Sequence, residues 1–308
     1  MTTPVLIDTD ADIDDAVGLG LALACGALSV KSVVSVGGRV SAEEAADTIG
    51  RLLCALAPPR MPGIGIGRPL KRHRPAARHA EFGADRLCGE DLPAGTVAPQ
   101  PFADVYGETI AADAGSIVVV ALGPLTNLAD ILRTSPGLLA KVQQIFVAGG
   151  AAWAKGDVTD RCEFNFACDP EATASILSSG LPITICPLDV ARFVQLDESH
   201  VAHLAASGYR TGEVLAKLLS HALARDAPPG VGRTFVHAAL TVGAVIWPQL
   251  FLKTRMRFDV VTDGPDAGQV KPALGGDAEQ RVDLLTAVNA SDFVENLLES
   301  LCHEAFVV

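Results

Sequence analysis

Five unbroken apolar runs of strand length punctuate the first two thirds of the chain: VLIDTD at 5–10, VKSVVSVGG at 30–38, SIVVVALG at 116–123, QIFVAGG at 144–150 and LPITICPLDV at 181–190. Strands of this kind do not alternate apolar with polar residues, so both of their faces are buried. Between them lie helix-length amphipathic stretches: DDAVGLGLALACGA at 14–27, SAEEAADTIGRLLCALA at 41–57, PLTNLADILRTSPGLLAKV at 124–142 and DPEATASILSSG at 169–180. Ser41 followed by Glu44 predicts a capped start for the second of these. Strand and helix in strict alternation predict an α/β fold: an open, mostly parallel central sheet with helices on both faces. Residues 59–116, rich in Pro, Gly and charge, read as loops or a lid. Within them GIGIG at 63–67 reads as a short strand and turn, because no helix and acidic partner follow it to make a dinucleotide site. Helices are expected from 195 to about 250. RMRFDVVTDG at 255–264 and RVDLLTAV at 281–288 then read as two strands of a hairpin or edge, and SDFVENLLESLCHEA at 291–305 as a closing helix. No repeat or linker divides the chain, so residues 1–308 are read as one domain.

Composition narrows the function. The formal net charge is −12, which argues against nucleic-acid or anionic-membrane partners, since both need basic patches. The one basic run, KRHRPAARH at 71–79, is short and reads as a solvated loop. No apolar stretch reaches the roughly 20 residues of a membrane span, and MTTPVLIDTD is no signal peptide. Seven cysteines are scattered without zinc-ligand spacing. A reduced, cytoplasmic protein is the simplest expectation.

The first strand runs into five aspartates: Asp8, Asp10, Asp12, Asp14 and Asp15. In an open parallel sheet, ligands bind beyond the carboxyl ends of the strands, which is where this cluster falls. Helix capping accounts for one or two of the carboxylates, not for five. Crowded carboxylates repel, and burying them unpaired is costly. A hard cation such as Ca2+ or Mg2+ relieves both problems. An EF-hand loop starting at Asp8 is excluded: it needs Gly and Glu where Ile13 and Leu19 stand. A phosphatase of the haloacid dehalogenase type would have Thr or Val where Asp12 stands. A plain acidic surface loop remains an alternative.

IDTDADIDDA resembles the N-terminal signature D-x-D-x-x-x-D-D-A of the inosine–uridine nucleoside hydrolase family. Three further blocks follow in order. ALGPLTNLA at 121–129 resembles the family's GPLTN turn, KGDVTDRCEFNFACDPEA at 155–172 its segment ending E-F-N-x-x-x-D-P-E-A, and VHAALTVGAVIWPQLF at 236–251 a helix that begins H-D-P-L-A. The resemblance covers residues 4 to about 251. It implies hydrolysis of the N-glycosidic bond of a nucleoside, a bound calcium ion and a homodimer or homotetramer. Carried over position by position, it makes Asp10, Asp15 and the carbonyl of Thr126 metal ligands, with Asp10 also accepting a proton from water. Asp14 and Asn165 would hold ribose hydroxyls, Glu163 and Asp157 the 5′ side, and His237 would protonate or steer the leaving base. Asp8 would orient the loop. A carboxylate and an amide suit sugar hydroxyls because both make paired hydrogen bonds.

Five positions depart from the family pattern. Ala238 stands where a calcium- and ribose-binding Asp is expected. Arg39 replaces an Asn near the sugar, Phe82 replaces a His near the base, and Asp157 replaces an Asn. Position 12, commonly Gly, is Asp12, and an ion pair with Arg39 would compensate both changes. Two further readings therefore stand beside the hydrolase: a catalytically weakened relative that binds a ribosyl ligand without efficient turnover, and, with Arg39 as its only support, a metal-dependent hydrolase acting on phosphates.

Overall fold

The computed structural model describes residues 2–70, 87, 92–226, 232–273 and 281–303. The basic run at 71–79 and Phe82 lie outside them. The strands are β1 (Thr3–Thr9), β2 (Leu28–Ser35), β3 (Gly63–Ile66), β4 (Gln100–Pro101), β5 (Val118–Ala121), β6 (Gln144–Ala148), β7 (Ile183–Cys186), β8 (Gln195–Asp197), β9 (Arg233–Phe235), β10 (Phe251–Val260), β11 (Val270–Ala273) and β12 (Val282–Val288). Ten of them form one sheet in the order β11-β10-β12-β7-β6-β5-β1-β2-β3-β4. Every pairing from β12 to β4 is parallel, and only β10 runs antiparallel to its two neighbours.

The apolar runs behave as buried strands must. Val5 and Ile7 of β1 enter the core on one face and Leu6 the core on the other; Val33 and Val34 of β2 divide in the same way. Helices Ile13–Ala24, Ala42–Leu56, Arg210–Asp226, His237–Ile246 and Ala290–Leu301 pack over the first face. Phe102–Ala112, Thr126–Thr134 and Pro170–Leu177 pack over the second. Helix Ala42–Leu56 starts as predicted: Ser41 Oγ accepts from the Glu44 N–H at 3.1 Å and the Glu44 carboxylate accepts from the Ser41 N–H at 2.9 Å.

The structure corrects the sequence reading in several places. The stretch 124–142 is two helices, Thr126–Thr134 and Pro136–Leu139. Pro136 cannot continue a helix, and Ser135 before it leaves the helical region at φ −145°. Residues 59–116 hold the expected short strand as β3 and are otherwise more regular than expected, with β4 and helix Phe102–Ala112. That helix buries Phe102, Val105, Tyr106 and Ile110, a helical spacing hidden by the Gly- and Pro-rich residues around it. Strand β7 stops at Cys186, before helix Leu188–Ala191. Between 195 and 250 a two-stranded antiparallel β8–β9 ribbon interrupts the helices. Strand β11 carries no strong alternation, and the sequence reading did not find it.

The closing helix is part of the core. Phe293 is fully buried, edge-on to Trp247 at 5.7 Å and to Phe251 at 6.1 Å between ring centroids. A Cβ at Gly243 would sit 2.3 Å from its ring, so helix His237–Ile246 needs glycine there. Phe293→Ala is expected to cost about 3–5 kcal/mol of unfolding free energy, read from urea denaturation. A loss below about 1 kcal/mol would show that this helix is not docked as described.

Candidate active site

The carboxyl ends of β1, β2, β5, β6 and β7 meet at one cavity of about 170 Å³. Asp10, Asp14, Asp15, Arg39, Asp157, Glu163, Asn165 and His237 all line it, together with Asp12, Leu122, Ala148, Phe164, Leu188, Leu219, Ala222, Thr234 and Phe235. Residues far apart in sequence are thus gathered where a parallel sheet places its ligands.

The aspartate loop is a tight turn between β1 and helix Ile13–Ala24. Ala11 adopts φ 58°, the left-handed region that an alanine occupies only when its surroundings hold it there. Its N–H donates to Thr9 Oγ1 at 2.9 Å and to Asp15 Oδ2 at 3.1 Å, and the Thr9 hydroxyl donates to the same Asp15 oxygen. Asp12 caps the helix, accepting at Oδ1 from the N–H groups of Asp14 and Asp15 at 2.9 and 3.4 Å. Its Oδ2 lies 3.4 Å from Arg39 Nε, so the ion pair read from the sequence is formed. Gly38 lets this second loop close in: a Cβ there would lie 2.0 Å from Asp10 Oδ2. The Arg39 N–H donates to that same oxygen at 3.3 Å.

Behind the loop, Asp8 is fully buried. Its Oδ2 accepts from Tyr106 Oη at 2.7 Å and Asn127 Nδ2 at 2.8 Å. Burial pushes its carboxyl up to about 7, against those two donors. Burial, then the Asp12 charge, pushes Asp10 up to about 6, with Arg39 opposing. Asp15 is held well above the carboxylate range by burial and then by Asp10, Asp12 and Asp14.

The opposite wall comes from the segment after β6. Glu163 caps helix Phe164–Cys168: its carboxylate accepts from Gly150, Asn165 and Phe166 N–H groups at 2.9, 2.8 and 3.1 Å. Burial, then Asp157, pushes it up to about 8. Asn165 Nδ2 donates to the Leu122 and Ala148 carbonyls at 2.6 and 3.1 Å, tying the ends of β5 and β6 together and leaving Oδ1 as its acceptor. Asp157 sits at the exposed rim. His237 opens helix His237–Ile246, and its Nε2–H donates to the Cys186 carbonyl at 2.7 Å. A carbonyl only accepts, so the neutral ring keeps its proton on Nε2 and has Nδ1 as an acceptor. Burial lowers its basicity.

Ala238 does not line the cavity. Its N–H donates to Asp14 Oδ2 at 2.9 Å, and it packs closely under Gly18 of the first helix. Thr126 also lies off the cavity wall: it starts its helix with its hydroxyl on Asp169 at 2.8 Å and faces a second cavity. Four residues escaped the sequence reading. Phe164 lies under the Arg39 guanidinium, 4.0 Å from carbon to ring centroid, and its place between Glu163 and Asn165 was the available signal. Phe235, 43% exposed, lines the mouth two residues before His237. Asn127, inside GPLTN, joins Asp8 to the Ser35 carbonyl. Asp189 accepts from the N–H groups of Ala152, Trp153 and Ala154 at 2.7–2.9 Å, anchoring the loop after β6.

Among the described residues, no three His, Cys, Asp or Glu side chains are gathered as metal ligands. The structure offers a pair, Asp10 and Asp15, both buried, with the Asp10 charge helping to hold Asp15 above the carboxylate range. Two such carboxylates need a proton or a cation between them. Their all-oxygen chemistry fits a hard ion such as calcium, with water completing the shell.

Residues 5–295 match the family described as inosine-uridine preferring nucleoside hydrolase, and the chain belongs to that family. It is 31% identical over 271 residues to the pyrimidine-specific ribonucleoside hydrolase of Salmonella agona (strain SL483), covering 86% of each chain. Its fold is that of a plant nucleoside hydrolase, with TM-score 0.89, 26% identity and coverage of 98% of this chain and 99% of that one. A purine-preferring ribonucleoside hydrolase from Gardnerella vaginalis shares the fold at TM-score 0.88 and 19% identity, over 97% and 98% of the two chains. Among the described residues, no helix is long and apolar enough to cross a membrane.

Asp8 generates a pH prediction. Its ordinary value is 3.8 and its folded value about 7, so between them the folded state keeps a proton that the unfolded state has released. Stability must therefore fall as pH rises through that window, by up to about 1.4 kcal/mol per pH unit for this proton. In chelator-treated protein, Asp8→Asn is expected to flatten the decline between about pH 5 and pH 7 in urea unfolding. An unchanged slope would contradict the assignment.

Proposed function

We propose that this chain hydrolyses the N-glycosidic bond of a ribonucleoside at this cavity, releasing ribose and free base. The observation that carries the reading is the convergence of Asp10, Asp14, Asp15, Asn165 and His237 on one cavity at the carboxyl ends of the parallel strands. Family membership and the similarity to ribonucleoside hydrolases support it.

In this reading Asp10 is the general base, taking a proton from the attacking water. Asp14, its Oδ2 fixed by the Ala238 N–H, and Asn165 Oδ1 receive ribose hydroxyls. Glu163 holds the wall in shape through its three backbone bonds and, with Asp157, borders the 5′ side. Bond cleavage builds positive charge on the sugar, and the acidic lining of the cavity stabilises it. His237, with its donor nitrogen committed to Cys186, steers the leaving base in its neutral form and donates from Nδ1 only when protonated. Calcium would be held by Asp10 and Asp15, with water completing its shell. When bound, it supplies charge that acidifies a neighbouring water and anchors hydroxyls. The Arg39–Asp12 pair and the apolar Ala238 favour a second reading, in which this metal site is weak and turnover slow. The acidic lining disfavours phosphorylated substrates.

The test is release of reducing sugar from a panel of purine and pyrimidine ribonucleosides with calcium present. Asp10→Asn is expected to lower kcat about 100-fold or more in protein that remains folded by its melting curve. A 5′-monophosphate should turn over at least about tenfold more slowly than its nucleoside. No sugar from any nucleoside with the parent chain would overturn the hydrolase reading.

A further inference from the structure

Among the described residues lining the cavity, Arg39 is the one arginine or lysine. Three features hold it. Its backbone N–H is bonded to Asp10 Oδ2 at 3.3 Å, its Nε lies 3.4 Å from Asp12 Oδ2, and its guanidinium rests on the Phe164 ring at 4.0 Å. Its side chain is 15% exposed, so water screens it poorly. A guanidinium stacked on an aromatic face and paired with a carboxylate is a fixed charge, not a mobile one. Its field reaches both Asp10, on the sheet side of the cavity, and Asp157, on the rim. It occupies the same acidic cavity that the proposed function assigns to a divalent cation.

We infer that Arg39 is a built-in counter-cation of this cavity, and that it sets calcium affinity by competing with the ion for the charge of Asp10 and its neighbours. The inference rests on the metal reading of the proposed function. Two positive charges cannot share one set of carboxylates without mutual repulsion, and at low effective dielectric this repulsion is large. Asp12 returns part of the lost affinity by neutralising the guanidinium, but its Oδ1 is already committed to the helix start. The chain therefore trades tight metal binding for a cavity whose carboxylates stay compensated when calcium is scarce. Arg39 is a positioning and charge-setting residue in this role.

The experiment is calorimetric calcium titration of chelator-stripped full-length protein, in four forms: parent, Arg39→Met, Arg39→Lys and Asp10→Ala/Arg39→Met. Methionine keeps the bulk over Phe164 and removes the charge, while lysine keeps the charge. Arg39→Met is expected to bind calcium at least about tenfold more tightly than the parent. Arg39→Lys should stay within about threefold of it, and the double variant should lose the tightened binding. Melting temperatures establish that each form is folded. Binding by Arg39→Met no tighter than by the parent, with binding lost in the double variant, overturns the arginine inference and leaves the metal reading standing. Equal tightening by Met and Lys also overturns it, because charge would then not be the cause. No calcium binding by any folded form at millimolar ion overturns both readings together.

Discussion

Everything at the carboxyl end of the sheet is organised around carboxylates that should not tolerate one another. Asp8, Asp10 and Asp15 are buried within one turn of chain, where unpaired charge is most costly. Each has a different remedy. Asp8 is met by a phenol and an amide, Tyr106 and Asn127. Asp15 is met by the Thr9 hydroxyl and the Ala11 N–H. Asp10 is met by the Arg39 backbone and lies near its guanidinium. Asp12 caps the helix and Asp14 caps its neighbour, each consuming backbone donors that a helix start leaves open. The cluster persists because every element around it gives it a partner, and a cavity remains where the partners stop.

The opposite wall obeys the same economy. Glu163 and Asn165 would be expensive to bury alone, and each is tied to backbone groups that join neighbouring strand ends. The groups suited to holding a sugar are therefore also those that fix the geometry of the loops bearing them. A substitution at either position would alter shape and binding together. The exposed Phe235 lines the mouth of the same cavity, with Leu219 and Ala222 also in its wall, and in the proposed reaction this apolar surface is where the planar base would lie.

Much of this was legible in the chain. Unbroken apolar strands announce a sheet buried on both faces, and β1, β2, β5, β6 and β7 stand where those runs predict. The aspartate run, GPLTN, the EFN segment and His237 lead to residues that the fold assembles around the cavity or directly behind it. What stayed hidden depends on tertiary context. Helix Phe102–Ala112 has a helical apolar period, but Pro- and Gly-rich flanks mask it. Nothing in the neighbourhood of Ala238 reveals that its side chain points into the seam with Gly18 rather than into the cavity. Phe164 is one apolar residue among many until Arg39, 125 positions earlier, comes to rest on it. The Arg39–Asp12 pair could be proposed from departures in two separate loops, and only the fold could bring the two side chains within 3.4 Å.

The central claim is that one acidic cavity at the mouth of the parallel sheet receives a pentose beside a cation. A crystal structure of the protein grown with ribose and calcium tests it most directly. The account predicts the sugar in the cavity, its hydroxyls on Asp14 and Asn165, with the ion against Asp10 and Asp15. Sugar bound elsewhere on the surface, or a cavity that takes neither sugar nor ion when both are in excess, would contradict it.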